Sequence, residues 1–202
     1  KKAKKPAKKV ATKKKATKKA APKKVTAKKA TAKKAAPKMA AVPAPTMTSH
    51  PLIGNEVPGM ALQNQSGETI DLSSVTAENP KVVLYFYPKD DTPGCTKEAC
   101  DFRDNLNRIQ DKGVKILGVS PDDPTSHQKF IEKYGLNFDL LSDANHALAD
   151  ALNVWKEKNF MGKSYMGVER STFLIENGKI AHAWQPVKVE GHVDEILKAI
   201  EA

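Results

Sequence analysis

Seven residues, Lys81-Val-Val-Leu-Tyr-Phe-Tyr87, hold the longest apolar run in the part of the chain able to fold. They pass directly into Pro88-Lys-Asp-Asp-Thr92-Pro-Gly-Cys95. The run has strand length and falls far short of the ~18 residues of a membrane span. Behind the turn, Cys95, Ala99, Phe102, Leu106 and Ile109 recur at helical spacing, which predicts a helix over about 93 to 111. A buried strand feeding a helix through a short turn commits the chain to a βα crossover. Within that turn Thr92 suits the N-cap, Pro93 the first helical position, and Cys95 the third, where backbone N–H groups lack intrahelical partners. A thiolate placed there is stabilised by those donors and by the helix dipole.

The rest of the pattern extends this unit. Asn55 to Val75 contains a hairpin, Met60-Ala-Leu-Gln against Thr69-Ile-Asp-Leu around Ser66-Gly67. After the helix come a strand over Val114 to Ser120, a helix from Pro124, a short strand over Phe138 to Leu141 and a helix near Asn145 to Leu152. A long loop is expected from Trp155 to Glu169. Strands then flank the Asn177-Gly178 turn, and a closing helix starts near Val193. This order predicts a thioredoxin-like α/β sheet.

Charge divides the chain. Lys1 to Lys38 holds 18 lysines and no acid, and the first acidic residue is Glu56. The remaining 16 basic and 23 acidic residues give that part a net charge of −7. Lys-Lys pairs repeat through the tail, separated by Ala, Thr, Val and Pro, with no aromatic residue. Such a segment buries too little apolar surface to offset its ordering entropy, so disorder is expected over 1–38. Residues 39–51, with Pro43, Pro45 and Pro51, read as a linker, and 52–202 as one folded domain. The tail is suited to a polyanion: Lys13, Lys14, Lys18, Lys19, Lys23, Lys24, Lys28, Lys29, Lys33 and Lys34 are the expected contacts to DNA or RNA, through counterion release without base reading. A solvated charge run that aids solubility is the simpler alternative. No signal-peptide pattern is evident, and a cytoplasmic or nucleoid address is expected, with no membrane partner.

Two cysteines five residues apart, Cys95 and Cys100, do not staple a domain of this size, which points to redox chemistry. Zinc is disfavoured, because no second cysteine pair or His-x₃₋₅-His spacing exists among His50, His127, His146, His182 and His192. Those histidines read as surface or satisfied residues. Asp90-Asp91 and Asp122-Asp123 are explained by turn and cap chemistry, and no phosphate or dinucleotide fingerprint is present, so neither metal nor cofactor is expected. A dithiol oxidoreductase would show Cys-x-x-Cys spacing, which is absent.

From about residue 52 onward the chain resembles a peroxiredoxin, of the peroxiredoxin Q or bacterioferritin comigratory protein branch. Pro88, Thr92 and Cys95 match the family's Pro-x-x-x-Thr-x-x-Cys motif, Cys100 its resolving cysteine, and Arg170, in Gly167-Val-Glu-Arg-Ser-Thr-Phe-Leu-Ile175, its distant arginine. The tail lies outside the family pattern. The resemblance implies a thiol peroxidase: Cys95 attacks hydrogen peroxide or an organic hydroperoxide, becomes a sulfenic acid, condenses with Cys100, and is reduced again by thioredoxin or a similar dithiol, in a monomer. A free thiol of pKa near 8.5 is about 3% ionised at pH 7, so a lowered pKa gains at most roughly 30-fold. Charge stabilisation on the departing oxygen by Arg170 and the Thr92 hydroxyl is the larger expected effect, with Pro88 shielding the site. The rival reading is a nucleoid-associated DNA-binding protein whose redox domain is a sensor with little turnover.

Overall fold

The computed structural model describes residues 50–160 and 162–201, so the lysine-rich tail and nearly all of the expected linker lie outside the described residues. In chain order the elements are β1 (Ala61–Asn64), β2 (Thr69–Asp71), α1 (Leu72–Glu78), β3 (Lys81–Phe86), α2 (Pro93–Gln110), β4 (Val114–Ser120), α3 (Pro124–Tyr134) and β5 (Asp139–Ser142). There follow α4 (Ala147–Ala151), β6 (Trp155–Phe160), β7 (Lys163–Val168), β8 (Ser171–Glu176), β9 (Lys179–Trp184) and α5 (His192–Glu201). Seven strands form one sheet in the order β2-β1-β5-β4-β3-β8-β9, and β6 pairs with β7 separately. β3 and β5 run parallel to β4, while β8 lies antiparallel to β3. This is the thioredoxin-like α/β sheet that the element order predicts.

β3 lies inside the sheet, and its alternation divides the core. Val83, Tyr85 and Tyr87 face a cluster that takes Cys95, Ala99, Phe102, Leu106 and Ile109 from α2 and Val193, Ile196, Leu197 and Ile200 from α5. Val82, Leu84 and Phe86 face the other side, against Leu72 and Val75 of α1, Leu148 of α4 and Leu152 just after it. A strand buried on both faces reads as a continuous apolar run rather than an alternating one. The stripe on α2 is therefore its packing face, and it fixes Cys95 toward the sheet.

Two elements differ from expectation. Leu72 continues no strand, because the Asp71 carboxylate accepts from Ser73 N at 2.9 Å and caps α1 there. The stretch from Trp155 to Glu169 is not a loop but the β6–β7 hairpin, paired from Trp155 with Val168 to Phe160 with Lys163. Most of its described side chains are half-buried or exposed, so it lacks the apolar alternation that announces a strand packed on a core.

The Tyr85 ring crosses its neighbouring strand at Gly118, its register partner. A Cβ at Gly118 would stand 2.6 Å from Leu140 Cδ2 and 2.8 Å from Tyr85 Cζ. Gly118→Ala is therefore expected to destabilise the reduced protein by about 1–3 kcal/mol through overpacking. Urea denaturation monitored by the two tryptophans checks this, and an unchanged midpoint would show that the ring yields at no cost.

Candidate active site

The loop between β3 and α2 is tied down before the helix begins. Asp90 is buried and accepts from Tyr87 Oη at 2.8 Å, Ser126 Oγ at 2.7 Å and His127 Nδ1 at 2.8 Å, while its own N–H donates to Asp122 Oδ2 at 2.7 Å. Turn chemistry alone does not account for this residue. Asp90 joins the loop to the first turn of α3 and to the end of β4. His127 is likewise fully buried rather than a surface residue, and His192 is buried with Nε2 2.8 Å from Thr172 Oγ1. Asp91 has φ 53° and carries the chain through the left-handed region, where its carboxylate accepts from Lys133 and Tyr134.

Thr92 occupies the N-cap with an extended backbone, and its carbonyl accepts the first helical bond from Thr96 N at 2.8 Å. Its hydroxyl does not cap the helix as expected; it donates to the Lys89 carbonyl at 3.1 Å. The hydroxyl therefore faces any further partner as an acceptor. Pro93 is the first helical residue, and Cys95 stands third, where the N–H groups of Gly94 and Cys95 precede the first helical bond. Cys95 is 1% exposed, Cys100 is half-buried, and both are free thiols.

Arg170 reaches this sulfur from just ahead of β8. Its Nη2 lies 3.1 Å from Cys95 Sγ, although the two residues are 75 positions apart in sequence. A methyl group at Gly94 would stand 3.4 Å from the same nitrogen, in van der Waals contact, so the guanidinium lies over the helix start. Burial disfavours the charge on Arg170, yet Glu98 and Cys95 outweigh it and hold the guanidinium charged. Pro88 is half-buried at the start of the loop.

Sequence reasoning passed over Glu98. It is 1% exposed, and its Oε2 accepts from Arg170 Nη1, while Oε1 has no partner. Burial raises its carboxyl to about 7 against the pull of Arg170, with Asp101 adding to the rise. Burial, followed by the Glu98 charge, also raises Tyr85, and Tyr85 Oη is unpartnered. The available signal was a glutamate three residues after Cys95 inside an apolar helical stripe. Among the described residues no cluster of three or more His, Cys, Asp or Glu is placed to hold a metal ion, and no helix is long and apolar enough to cross a membrane. An open cleft of about 450 Å³ lies elsewhere, between Leu106, Gln110, Lys115, Phe138 and Asp139, and contains none of these site residues.

A cysteine at a helix start with an arginine on its sulfur is the arrangement that the Pro-x-x-x-Thr-x-x-Cys motif foretells, and residues 53–183 match the AhpC/TSA family. The chain belongs to the peroxiredoxins. It is 49% identical to peroxiredoxin Bcp of Bacillus subtilis (strain 168) over 150 residues, which is 74% of this chain and 94% of that protein. With peroxiredoxin Bcp of Escherichia coli (strain K12) it shares 43% identity over 145 residues, 71% of this chain and 92% of the relative. A solved structure of Xanthomonas campestris peroxiredoxin Q superposes with a TM-score of 0.67 at 45% identity, covering 70% of this chain and 89% of that one. A cysteine-to-serine form of Xylella fastidiosa PrxQ gives 0.70 at 39% identity, covering 76% and 97%. This peroxiredoxin is thus a thiol peroxidase of the Bcp and PrxQ type.

Asp90→Ala leaves two buried donors, on Tyr87 and His127, and the half-buried Ser126 hydroxyl without an acceptor, and each buried donor costs roughly 1–3 kcal/mol. The variant is expected to lose about 3 kcal/mol or more of stability and to oxidise more slowly, because the loop no longer seats α2. Denaturation and stopped-flow oxidation on the same sample check both effects. Full stability would show that the acceptors are replaced by water.

Proposed function

We propose that Cys95 is the peroxidatic cysteine and Cys100 the resolving cysteine of a dithiol-dependent peroxidase acting on hydrogen peroxide and organic hydroperoxides. The contact between Arg170 Nη2 and Cys95 Sγ, 3.1 Å, carries the reading. The thiolate attacks one peroxide oxygen, the O–O bond breaks, and the second oxygen leaves as water or alcohol after gaining a proton. Charge grows on that leaving oxygen, and Arg170 with the free N–H groups of Gly94 and Cys95 stands where it develops. Thr92, whose own proton is engaged by Lys89, accepts from the peroxide O–H and orients it. Pro88 closes the loop side. Another solved structure of the Xanthomonas campestris bacterioferritin comigratory protein concerns the alkyl peroxide reduction activity of that protein, which supports including organic hydroperoxides here.

The sulfenic acid then condenses with the Cys100 thiol, releasing water and forming a disulfide. Xanthomonas peroxiredoxin Q has been solved with serine at either of two cysteines far apart in its chain, so this step rests on the present helix alone. Both cysteines lie on α2, which is helical throughout. Residues five apart on a regular helix have Cα atoms about 8–9 Å apart. A disulfide spans at most about 7 Å, so the turns between them must unwind before the bond closes. Phe102, Leu106 and Ile109, all buried, anchor what remains. Thioredoxin or a similar dithiol then reduces the bridge and allows α2 to rewind. Every group invoked comes from one chain, so a monomer suffices.

Cys95→Ser is expected to abolish peroxide turnover. Arg170→Ala is expected to slow oxidation of Cys95 about 100-fold, the scale found when one such donor is removed. Stopped-flow rates of sulfenic acid formation decide the matter, and a near-normal rate in Arg170→Ala would remove its role. Continued turnover with a thioredoxin system separates this enzyme from a sensor that consumes one equivalent.

The tail supports a second role, binding DNA or RNA without sequence preference in a cytoplasmic, nucleoid-associated setting. It carries 18 lysines and no acid, against a net charge of −7 on the rest. If about ten lysines engage phosphates, log K on duplex DNA falls against log salt with slope near −9. Deleting residues 1–38 should abolish binding and leave peroxidase kinetics nearly unchanged. Binding that survives the deletion, or a shallow slope, would refute this role.

A further inference from the structure

Glu98 lies inside the segment that must unwind. It stands three residues after Cys95 and two before Cys100, so it leaves its burial when the disulfide forms. In the wound helix one Arg170 guanidinium is shared by two acidic groups, Nη1 on Glu98 Oε2 and Nη2 on Cys95 Sγ. The Oε1 atom is buried and unpartnered, so an ionised Glu98 has half of its carboxylate unmet by any donor. A protonated Glu98 relieves that cost and leaves the Arg170 charge to the sulfur and the departing oxygen.

We infer that Glu98 is a positioning residue for Arg170 and a proton-linked latch on the first turns of α2, which gives up its proton when those turns unwind. This rests on the assignment of Cys95 and Cys100 as the pair that forms the disulfide. The latch seats the guanidinium on the sulfur while the helix is wound. On unwinding, Glu98 passes into solvent and ionises as an ordinary carboxylic acid, and Arg170 loses both of its side-chain partners, Glu98 and Cys95. The step balances: peroxide attack consumes one proton at the leaving oxygen, condensation of the sulfenic acid with the Cys100 thiol releases water, and the opening of α2 returns one proton from Glu98.

The sign follows from the two states. Burial holds the carboxyl at about 7 in the wound form, against 4.5 in its ordinary state. A raised value in the wound form means that its stabilisation is complete below about pH 4.5 and is lost as pH rises through about 7. Opening therefore becomes up to about two orders of magnitude more favourable across that window and levels off above it. The other charged and titratable groups around Glu98 and its partner Arg170 leave the window clear. Arg170, ahead of β8, remains charged. Tyr85 on β3 is raised well above its ordinary value by burial and remains neutral. His192 on α5 is lowered to about 4, by burial and then by Arg170, and is neutral from about pH 5 upward. Lys158 on β6, lowered by burial, faces the same Arg170 and Cys95. Asp101, on α2 itself, pairs with Lys97 at 2.9 Å.

The test is the equilibrium between the Cys95–Cys100 disulfide and a dithiothreitol couple, measured by mass between about pH 5.5 and 7 for the wild type and Glu98→Gln. Glutamine keeps the shape and an acceptor for Arg170 Nη1 but carries no titrating proton. Reduction of the wild type is expected to take up about one proton more than reduction of the variant. Across that range its equilibrium constant should change by an additional factor of about 15, about 35 mV for this two-electron couple. A purely structural glutamate would shift the potential equally at every pH and leave the two slopes parallel, which overturns the inference. If Glu98→Gln does not fold, infrared difference spectra of the wild type near pH 6 decide: oxidation must replace a protonated carboxyl band by a carboxylate band, and no such change overturns it. Failure of the wild type to form an intramolecular disulfide with one equivalent of peroxide would overturn both this inference and the assignment beneath it. A disulfide with parallel slopes would overturn the latch alone.

Discussion

One half-buried cation shared between two buried acidic side chains sets the terms for the rest of this site. Arg170 gives one nitrogen to Glu98 and another to the Cys95 sulfur; both partners are held where water is scarce, and the guanidinium is half-buried between them. In such surroundings a guanidinium is costly alone and strongly favoured when its partners are fixed. The fold supplies fixed partners by bringing β8 beside β3, so that the residue ahead of one strand meets the helix that follows the other. The antiparallel pairing of Phe86 with Ser171 brings Arg170 close to the loop after β3, and the short connection through Pro88 to Thr92 delivers Cys95 to the same end of the sheet. The meeting of Arg170 with Cys95, on which the proposed charge stabilisation rests, is thus a consequence of strand register as much as of the motif itself.

In the proposed cycle the same helix meets two opposing requirements. Attack on peroxide needs the first turn of α2 wound, because its free N–H groups and Arg170 converge on the sulfur only in that state. Closing the disulfide needs those turns undone. The burial along α2 is distributed to suit this. Phe102, Leu106 and Ile109 bury large side chains in the core, whereas the unwinding segment buries only Cys95, Glu98 and Ala99. A small residue, a thiol and a carboxylic acid forfeit far less apolar area on exposure than an aromatic ring. The start of α2 is therefore the part of the helix that opens at lowest cost, while its remainder stays docked.

The fold and half of the site were legible because their signals are local. The motif from Pro88 to Cys95 sits between a strand-length apolar run and a helical stripe, and each fixes the reading of the other. Arg170 was reachable only through resemblance, since no periodicity joins residues 75 positions apart. Glu98 and Asp90 were missed for one reason: charged residues read by default as solvent-facing or as turn formers, and burial of a carboxylate is a tertiary fact. The N-cap at Thr92 was placed correctly and its hydroxyl was not, because the Lys89 carbonyl competes for that proton. The β6–β7 hairpin escaped notice because both of its strands rest mainly on each other. Pairing between two such strands leaves no apolar alternation for the sequence to display.

These anchors leave the parts of the site attached to different bodies. Asp90 ties the loop to α3 and β4, Arg170 belongs to the approach to β8, and Cys95 and Glu98 ride on the turns of α2 that can be undone. The proposed unwinding consequently carries away the sulfur and the carboxyl, the two side-chain partners of the guanidinium, while the loop keeps its ties through Asp90. Recovery after reduction then requires the ordering of only a few residues on a preformed seat, which keeps the entropy cost of resetting small. Glu98 and Cys95 both belong to the moving part and both touch Arg170 on the fixed part, and in the inferred latch it is the charge on Glu98 that sets how readily the two separate.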